Sequence, residues 1–511
     1  MAAGLAIGVS LLTLVPYLVA RQAAPPGWVF SGFLVNPYDG FSYLAKMRQG
    51  FEGSWLFVLP YAADPGRPAF LFGFYLALGH IARLSGVSLM TAFHVSRVLA
   101  GSVMYLAVYA LLERLPLGRA ARWSAYALVL GISGLGWLGV AAGVAASDLL
   151  IPESVPWVAI LVNPHFPLAA AALTLGFLAA LTPGSRWTAA GLAGAAGLVL
   201  GIVQPFVLAT LWSVLGSWAV VEMLLGRGGQ RVVRPERGAA IALGASALTG
   251  LPWVVYDAWL VSSHPMLRLW SSQNLTPSPS PIAYLIGFGP LLAWVGLSLI
   301  RAQPLRAPPL RLIALWAGLG LLLLYLPFGL QRRLTLGLAI PLVALAGLGI
   351  DQVCSTPARR RLAVLGTLLL TLPSLLLVTA AGVSAAASPS SSTVLSQREV
   401  EAYTWMAAHL PADSLVLAAE PTGNRIPAYL NARVLAGHPF ETPNAGEQRT
   451  WIAQAFAWSG DPDEGLRILE QRGVEFVYRG REEAALGDPT WLEVLTPVFT
   501  SGEVSVYSVK R

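Results

Sequence analysis

Three short polar runs in an otherwise apolar chain have the residue types to do chemistry. The first is Asn36-Pro-Tyr38-Asp39-Gly-Phe-Ser-Tyr-Leu-Ala-Lys46-Met-Arg48-Gln-Gly50. Phe41, Leu44, Ala45, Met47 and Phe51 recur at helical spacing, which predicts a short amphipathic helix in a membrane interface with Asp39 at its start. A carboxylate there can cap exposed amides and complement the helix dipole, and capping does not exclude catalysis. The second run is Val162-Asn163-Pro164-His165-Phe166, where His165 reads as a helix-start contact or as a ligand. The third is a pair of segments, Glu420-Pro-Thr-Gly-Asn424-Arg425 and Gly437-His438-Pro-Phe-Glu441-Thr442. Both follow expected strands, where α/β sheets hold ligands. Turn formation with docking onto the rest of the chain is one reading, and contact with a ligand is the other.

Much chemistry is excluded at once. Cys354 is the sole cysteine, which removes disulfides, cysteine-ligated zinc and paired-cysteine redox chemistry. The six histidines show no His-x-x-x-His or His-Glu pairing, so a zinc enzyme is not expected and a divalent metal has no support. There is no Gly-x-Gly-x-x-Gly and no P-loop, which disfavours a nucleotide-dependent enzyme.

These residues sit in a chain that is 55% hydrophobic and 12% charged, with a mean hydropathy of +0.63. A soluble protein would carry about a quarter charged residues, so this is an integral membrane chain. Residues 1–390 carry 23 Lys+Arg against 10 Asp+Glu, and residues 391–511 carry 10 against 16. A basic apolar part thus precedes an acidic one large enough to bury its own core. The basic excess reflects loop arginines and is no evidence for nucleic acid.

Hydrophobic windows long enough to cross fall at 2–20, 93–113, 122–145, 165–182, 186–203, 205–225, 238–260, 282–300, 309–329, 333–350 and 362–384. The first lacks a basic leader and a cleavage site and reads as a retained anchor. Arg114, Arg119, Arg122, Arg186, Arg227, Arg231, Arg234, Arg237, Arg301, Arg306, Arg311, Arg359, Arg360 and Arg361 all fall on one side of these windows, which makes that side cytoplasmic and the C-terminal domain extracytoplasmic. Glu222 and Asp257 fall near span ends, where charge is cheap. The short aromatic stretch 69–84 leaves two topologies. If it does not cross, the N-terminus is cytoplasmic and 21–92 is outside; if it crosses, 21–68 is cytoplasmic.

From the N-terminus the order is one span, Tyr38-Asp39 before Tyr43-Leu44-Ala45, then Arg67-Pro68 with Phe70, Phe74 and Tyr75, then Ser96-Arg97-Val98-Leu99 leading to Leu112-Glu113-Arg114-Leu115. Over about residues 1–130 this resembles the GT-C class of polytopic glycosyltransferases, in its protein mannosyltransferase and aminoarabinose transferase branch. The resemblance implies eleven spans, with 69–84 a juxtamembrane helix on the outer face. It implies an inverting transfer of sugar from a polyprenyl-phosphate carrier to a glycan, lipid or protein acceptor outside the cell membrane.

On that reading Asp39 is the base for an acceptor hydroxyl, a poor nucleophile. The leaving group is already a phosphate and needs cations rather than an acid. Arg67, Arg332 and Arg333 become candidates for the carrier phosphate, since a planar guanidinium grips phosphate with two bonds. Gln331-Arg332-Arg333-Leu334 precedes Ile340-Pro341 on the outer side, where snorkelling to headgroups is its alternative use. Tyr38, Lys46, Asn163 and His165 complete the expected substrate-binding set. Asn163 departs from the branch, where an acidic residue often precedes that proline; Asp148 and Glu153 read as solvated loop acids, with substitution for that residue as the alternative. A transporter or flippase is the competing reading, and an inactive envelope-assembly relative is another. A transporter should show related halves or intramembrane charges, and no convincing repeat is present.

In the C-terminal part, Ser396-Gln-Arg-Glu399 is a capping box opening a helix to about His409. Strands are expected at 414–419, 433–436, 474–478 and within 498–509, with helices at 446–458 and 463–472. The expected fold is therefore a polytopic helical membrane domain over 1–390, with outer loop 21–92, and a soluble α/β domain over 391–511.

Overall fold

The computed structural model describes residues 1–225, 235–301 and 306–509. Arg227, Arg231 and Arg234 of the basic loop lie outside the described residues. The chain forms two compact units: Met1–Pro16 with His94–Tyr256 and Thr276–Ala381, and Tyr17–Phe93 with Asp257–Leu275 and Gly382–Arg511.

In the first unit the apolar windows become helices. Over the whole chain, seven helices among the described residues are long and apolar enough to cross a membrane: Ala2–Ala23, Leu89–Arg114, Arg186–Val203, Pro205–Leu225, Pro235–Ser263, Gln331–Val353 and Pro357–Ala386. His165–Ala180 and Pro308–Leu323 are shorter, and Pro281–Gly287 with Gly289–Ile300 is bent by 85°. The window 122–145 is not one helix. Arg119–Gly131 stops, and Gly136–Ala141 follows after a break. Asp148 explains the break, because its carboxylate accepts the freed amides of Gly134 and Gly136 at 3.1 and 3.0 Å. Ser374 accepts the Trp137 amide and donates to the Gly134 carbonyl. Asp148 is thus a buried structural acid rather than a solvated loop one.

Glu222 also differs from its reading as an inexpensive end-of-span charge. It is 0% exposed and accepts from Arg311 Nε and Nη2 at 2.6 Å each. A planar guanidinium satisfies both carboxylate oxygens in this geometry, the arrangement that makes a buried pair tolerable.

The second unit carries a mixed β-sheet with helices around it. Besides the short strands β1 Trp28–Phe30 and β2 Val394–Ser396, it has β3 Ser414–Leu417, β4 Ala432–Val434, β5 Phe476–Arg479, β6 Pro497–Ser501 and β7 Val504–Ser508, which form a five-stranded sheet in the order β4-β3-β5-β7-β6. β3 is parallel to β4 and β5, and β7 is antiparallel to β5 and β6. Period-two alternation splits β3 between two cores. Leu415 and Leu417 pack with Ile452, Phe456, Leu469 and Trp491. Val416 joins Val434, Tyr478, Val504 and Val506 in a core that also contains Phe41, Leu44, Met47 and Leu76 from the start of the chain. A short ribbon of Trp28–Phe30 with Val394–Ser396 adds a second link. The capping box is complete: Ser396 Oγ accepts the Glu399 amide, and Glu399 accepts the Ser396 amide at 2.7 Å.

The predicted amphipathic helix forms as Pro37–Phe51. Its apolar stripe is covered by protein instead of lying in an interface, since Phe41, Leu44 and Met47 are buried in the shared core and Ala45 is buried beside them in the helix. The ambiguous stretch forms the helix Gly73–Ser85. At 13 residues it is about 20 Å long, short of the roughly 30 Å of a bilayer core. The buried imidazole of His80 bonds the Ser54 carbonyl at 3.1 Å. Gly50 and Gly79 bring these two helices together: a Cβ at Gly50 would meet Leu76 O at 2.1 Å, and one at Gly79 would meet Met47 O at 2.0 Å.

Candidate active site

Asp39 lies in the first turn of the Pro37–Phe51 helix, but it is not the cap. Asn36 occupies that position with φ 46, since the residue before a proline is pushed out of the right-handed region and Asn tolerates the left-handed one. Asp39 is free to point sideways. Ser42 and Lys46 follow three and seven residues on and so share its helix face.

The loop after β4 meets that face. His438 Nε2 bonds Asp39 Oδ1 at 2.9 Å. His438 Nδ1 accepts the amides of Phe440 and Glu441, both at 3.2 Å. A nitrogen receiving N–H groups carries no proton, so the ring is the neutral tautomer with its hydrogen on Nε2, donated to Asp39. Two tyrosine rings lie near it, Tyr61 at 6.3 Å and 26° and Tyr38 at 6.4 Å and 76° between ring planes. Thr442 Oγ1 accepts the Gly437 and His438 amides at 3.1 and 3.0 Å and fixes the turn. Gly437 allows this approach, because a Cβ would meet the Tyr61 ring at 2.4 Å.

Two helical turns on from Asp39, Lys46 Nζ contacts Glu441 Oε1 at 2.8 Å and Ser42 Oγ at 2.6 Å, and Ser42 donates to Glu441 at 2.8 Å. The Phe72 ring lies 4.3 Å from the ammonium. Burial pushes the Glu441 carboxyl up, but the Lys46 charge and these hydrogen bonds outweigh it and hold it below the usual carboxylate range. Burial raises the Tyr61 hydroxyl, with Glu441 adding to the effect. The other segment closes the cluster: Asn424 Nδ2 donates to the Tyr38 carbonyl at 3.1 Å, and Arg425 pairs with Glu399 at 2.7 Å. The Asn424 stretch, read as a turn, is the helix Glu420–Tyr429.

The predicted site residues therefore divide. Asp39, Tyr38 and Lys46 come together with His438 and Glu441. Lys46 is 1% exposed and saturated by protein, while the Asp39 side chain keeps 37% exposure. Arg67 is in the same unit and exposed; it donates to Ser263 at 3.3 Å and lies over Trp259, while its carbonyl takes the His264 ring. Asn163, His165, Arg332 and Arg333 belong to the first unit. Asn163 ends the helix Pro156–Val162, and His165 opens His165–Ala180. Arg332 and Arg333 sit on the short 3-10 turn Gln331–Thr335, anchored by the Arg332 amide on Thr276 and by Gln331 on the Ser278 amide. Arg333 Nε is buried with no hydrogen-bond partner among the described residues. His438 and Glu441 were visible only as unusual polar residues after a strand. Their partners lie about 400 residues away in the chain, beyond any local pattern.

No family model matches the chain, and no match is found among the curated proteins. Solved structures do match in fold. ArnT from Cupriavidus metallidurans bound to undecaprenyl phosphate is 14% identical, with 100% of this chain and 98% of that one covered at a TM-score of 0.56. Arabinofuranosyltransferase AftD from Mycobacteria is 15% identical over 98% of this chain and 40% of that one, at 0.57. The apo oligosaccharyltransferase of Archaeoglobus fulgidus is 13% identical over 94% and 71%, at 0.52. The chain has the fold of the GT-C class of polytopic membrane glycosyltransferases, the class its N-terminal motifs resemble.

Proposed function

We propose that this chain is an inverting membrane glycosyltransferase that moves a sugar from a polyprenyl-phosphate carrier to an extracytoplasmic hydroxyl, with Asp39 as the base. The observation that carries the reading is the setting of Asp39: a partly exposed carboxylate with one oxygen tied to His438, in a GT-C fold. ArnT was solved with undecaprenyl phosphate and the archaeal enzyme with a dolichol-phosphate, which supports the donor class. As the acceptor oxygen attacks the anomeric carbon, its proton passes to Asp39 and the bond from that carbon to the phosphate oxygen breaks. The electron pair leaves with the carrier phosphate. Arg332 and Arg333, with Arg67, are proposed to meet that charge, and Tyr38, Asn163 and His165 to line the substrate path. Lys46 acts through the fold, since its ammonium is already enclosed.

The proposed topology has eleven crossings, a cytoplasmic N-terminus in the cell membrane, a transmembrane part over 1–390 and an outer α/β domain over 391–511. Asp39 and Lys46 bond His438 and Glu441, and bonded residues must lie on one side of a bilayer. An even number of crossings between 68 and 391 meets that demand, which supports a Gly73–Ser85 helix that stays on the outer face.

The test is transfer from a panel of undecaprenyl-phosphate-linked sugars by the purified chain. Asp39→Asn is expected to lose about 100-fold or more in kcat. Wild-type transfer by that variant sinks the base assignment.

A further inference from the structure

We infer that His438 is the positioning residue for Asp39, so that the last quarter of the chain completes a site begun at its start. The inference rests on the reading of Asp39 as the base. Asp39 has no capping bond to hold it, and a carboxylate in a first helical turn rotates about two side-chain bonds. The His438 N–H takes Oδ1 at 2.9 Å and leaves the second oxygen for the acceptor hydroxyl.

The ring is held by several contacts. Nδ1 is occupied by the Phe440 and Glu441 amides, the Tyr61 and Tyr38 rings lie 6.3 and 6.4 Å away, and Thr442 clamps the backbone. Charged groups around it are spent: Glu441 is paired with Lys46, and Asp39 is the partner itself. His438 is buried while Asp39 is partly open, so the imidazole reaches the chemistry through Asp39 and is neither base nor substrate contact. A group that fixes a reacting atom to within a fraction of an ångström acts on kcat, because small misplacements are costly in rate.

The experiment measures kcat and donor KM for the full chain in detergent, with an undecaprenyl-phosphate-linked sugar that the wild type accepts. His438→Phe fills the ring space without a donor and is expected to lower kcat about 10- to 100-fold with KM within about twofold. His438→Gln places an N–H near the position of Nε2 and is expected to restore most of that loss. His438→Asn keeps an acceptor for the loop amides but stops short of Asp39, so it is expected to fail like Phe; it carries the test if the Phe variant does not fold. In an Asp39→Asn background, His438→Phe is expected to cost nothing further. Wild-type kcat in the Asn or Phe variant, a loss confined to KM, or a Gln variant as poor as Phe would overturn the inference. Full activity of Asp39→Asn alone would instead overturn the base reading on which it stands.

Discussion

Lys46 Nζ lies 2.8 Å from Glu441 Oε1 across 395 residues of sequence. The pair joins the helix that carries Asp39 to the loop that carries His438, and its lysine lies two helical turns from Asp39. Two buried charges recover their desolvation cost only in good geometry with their remaining hydrogen-bonding positions filled. Here Ser42 and the Phe72 ring fill them.

Removing one partner leaves the other charge buried alone. Lys46→Met is expected to destabilise the fold by about 3–5 kcal/mol, and Lys46→Met with Glu441→Leu to recover much of that, as read by denaturation in detergent. The pH dependence has a definite sign. Glu441 is held below its usual range, so its contribution is present above the unfolded carboxyl value and is lost as pH falls through the lower folded value. Melting temperature is expected to drop on the acid side, and Glu441→Gln to remove that drop.

The contact of the Pro37–Phe51 and Gly73–Ser85 helices gives a second prediction. Gly50→Ala and Gly79→Ala would each drive a methyl into facing backbone at 2.1 and 2.0 Å, and backbone cannot swing aside. Each is expected to cost about 1–3 kcal/mol and to reduce transfer by shifting Asp39. Gly366, in the helix Pro357–Ala386, has nothing within 4 Å of such a methyl, so Gly366→Ala is expected to be neutral or stabilising. Equal thermal shifts for all three variants would refute the packing argument.

Local rules made much of this legible. The Ser396 capping box, the apolar runs and the alternation in β3 depend on neighbours in sequence, and they gave helix and strand positions within a few residues. The 122–145 window misled because hydropathy does not register a backbone break, and Asp148, which stabilises that break, looked like a loop acid. The amphipathic stripe of the Asp39 helix was legible as apolar but not as to its cover, because Val416 and Tyr478 come from the far end of the chain. Likewise Lys46 looked like a ligand contact until Glu441 was placed against it.

Glu483 supplies a pH prediction of the opposite sign. Burial pushes its carboxyl up to about 7, although Thr422 and the Ala419 and Gly480 amides oppose the rise. Between the ordinary value of 4.5 and about 7 the folded chain holds a proton that the unfolded chain has lost, so unfolding free energy falls as pH rises. The whole effect is about 3 kcal/mol, from about 1.4 kcal/mol for each pH unit. Thermal melts from pH 4.5 to 8 should show this slope, and Glu483→Gln should flatten it.

The topology can be tested through residues that the fold leaves exposed. Cys354 is buried and is the sole cysteine, so Cys354→Ser provides a clean background. Asp64, Glu447 and Ala358 are exposed and sit before the Gly73–Ser85 helix, in the helix Ala445–Phe456 beside the five-stranded sheet, and in the first turn of the arginine-rich helix Pro357–Ala386. With a single cysteine at each, an impermeant maleimide is expected to label positions 64 and 447 in intact cells and position 358 only after permeabilisation. The bonds from Asp39 to His438 and from Lys46 to Glu441 cannot form across a bilayer, so positions 64 and 447 must respond alike. Labelling of 447 from outside with 64 protected would mean that Gly73–Ser85 crosses and that Asp39 faces the cytoplasm, away from any outer acceptor. The paired response with 358 protected would place Asp39 on the face where a lipid-linked sugar meets an extracytoplasmic hydroxyl.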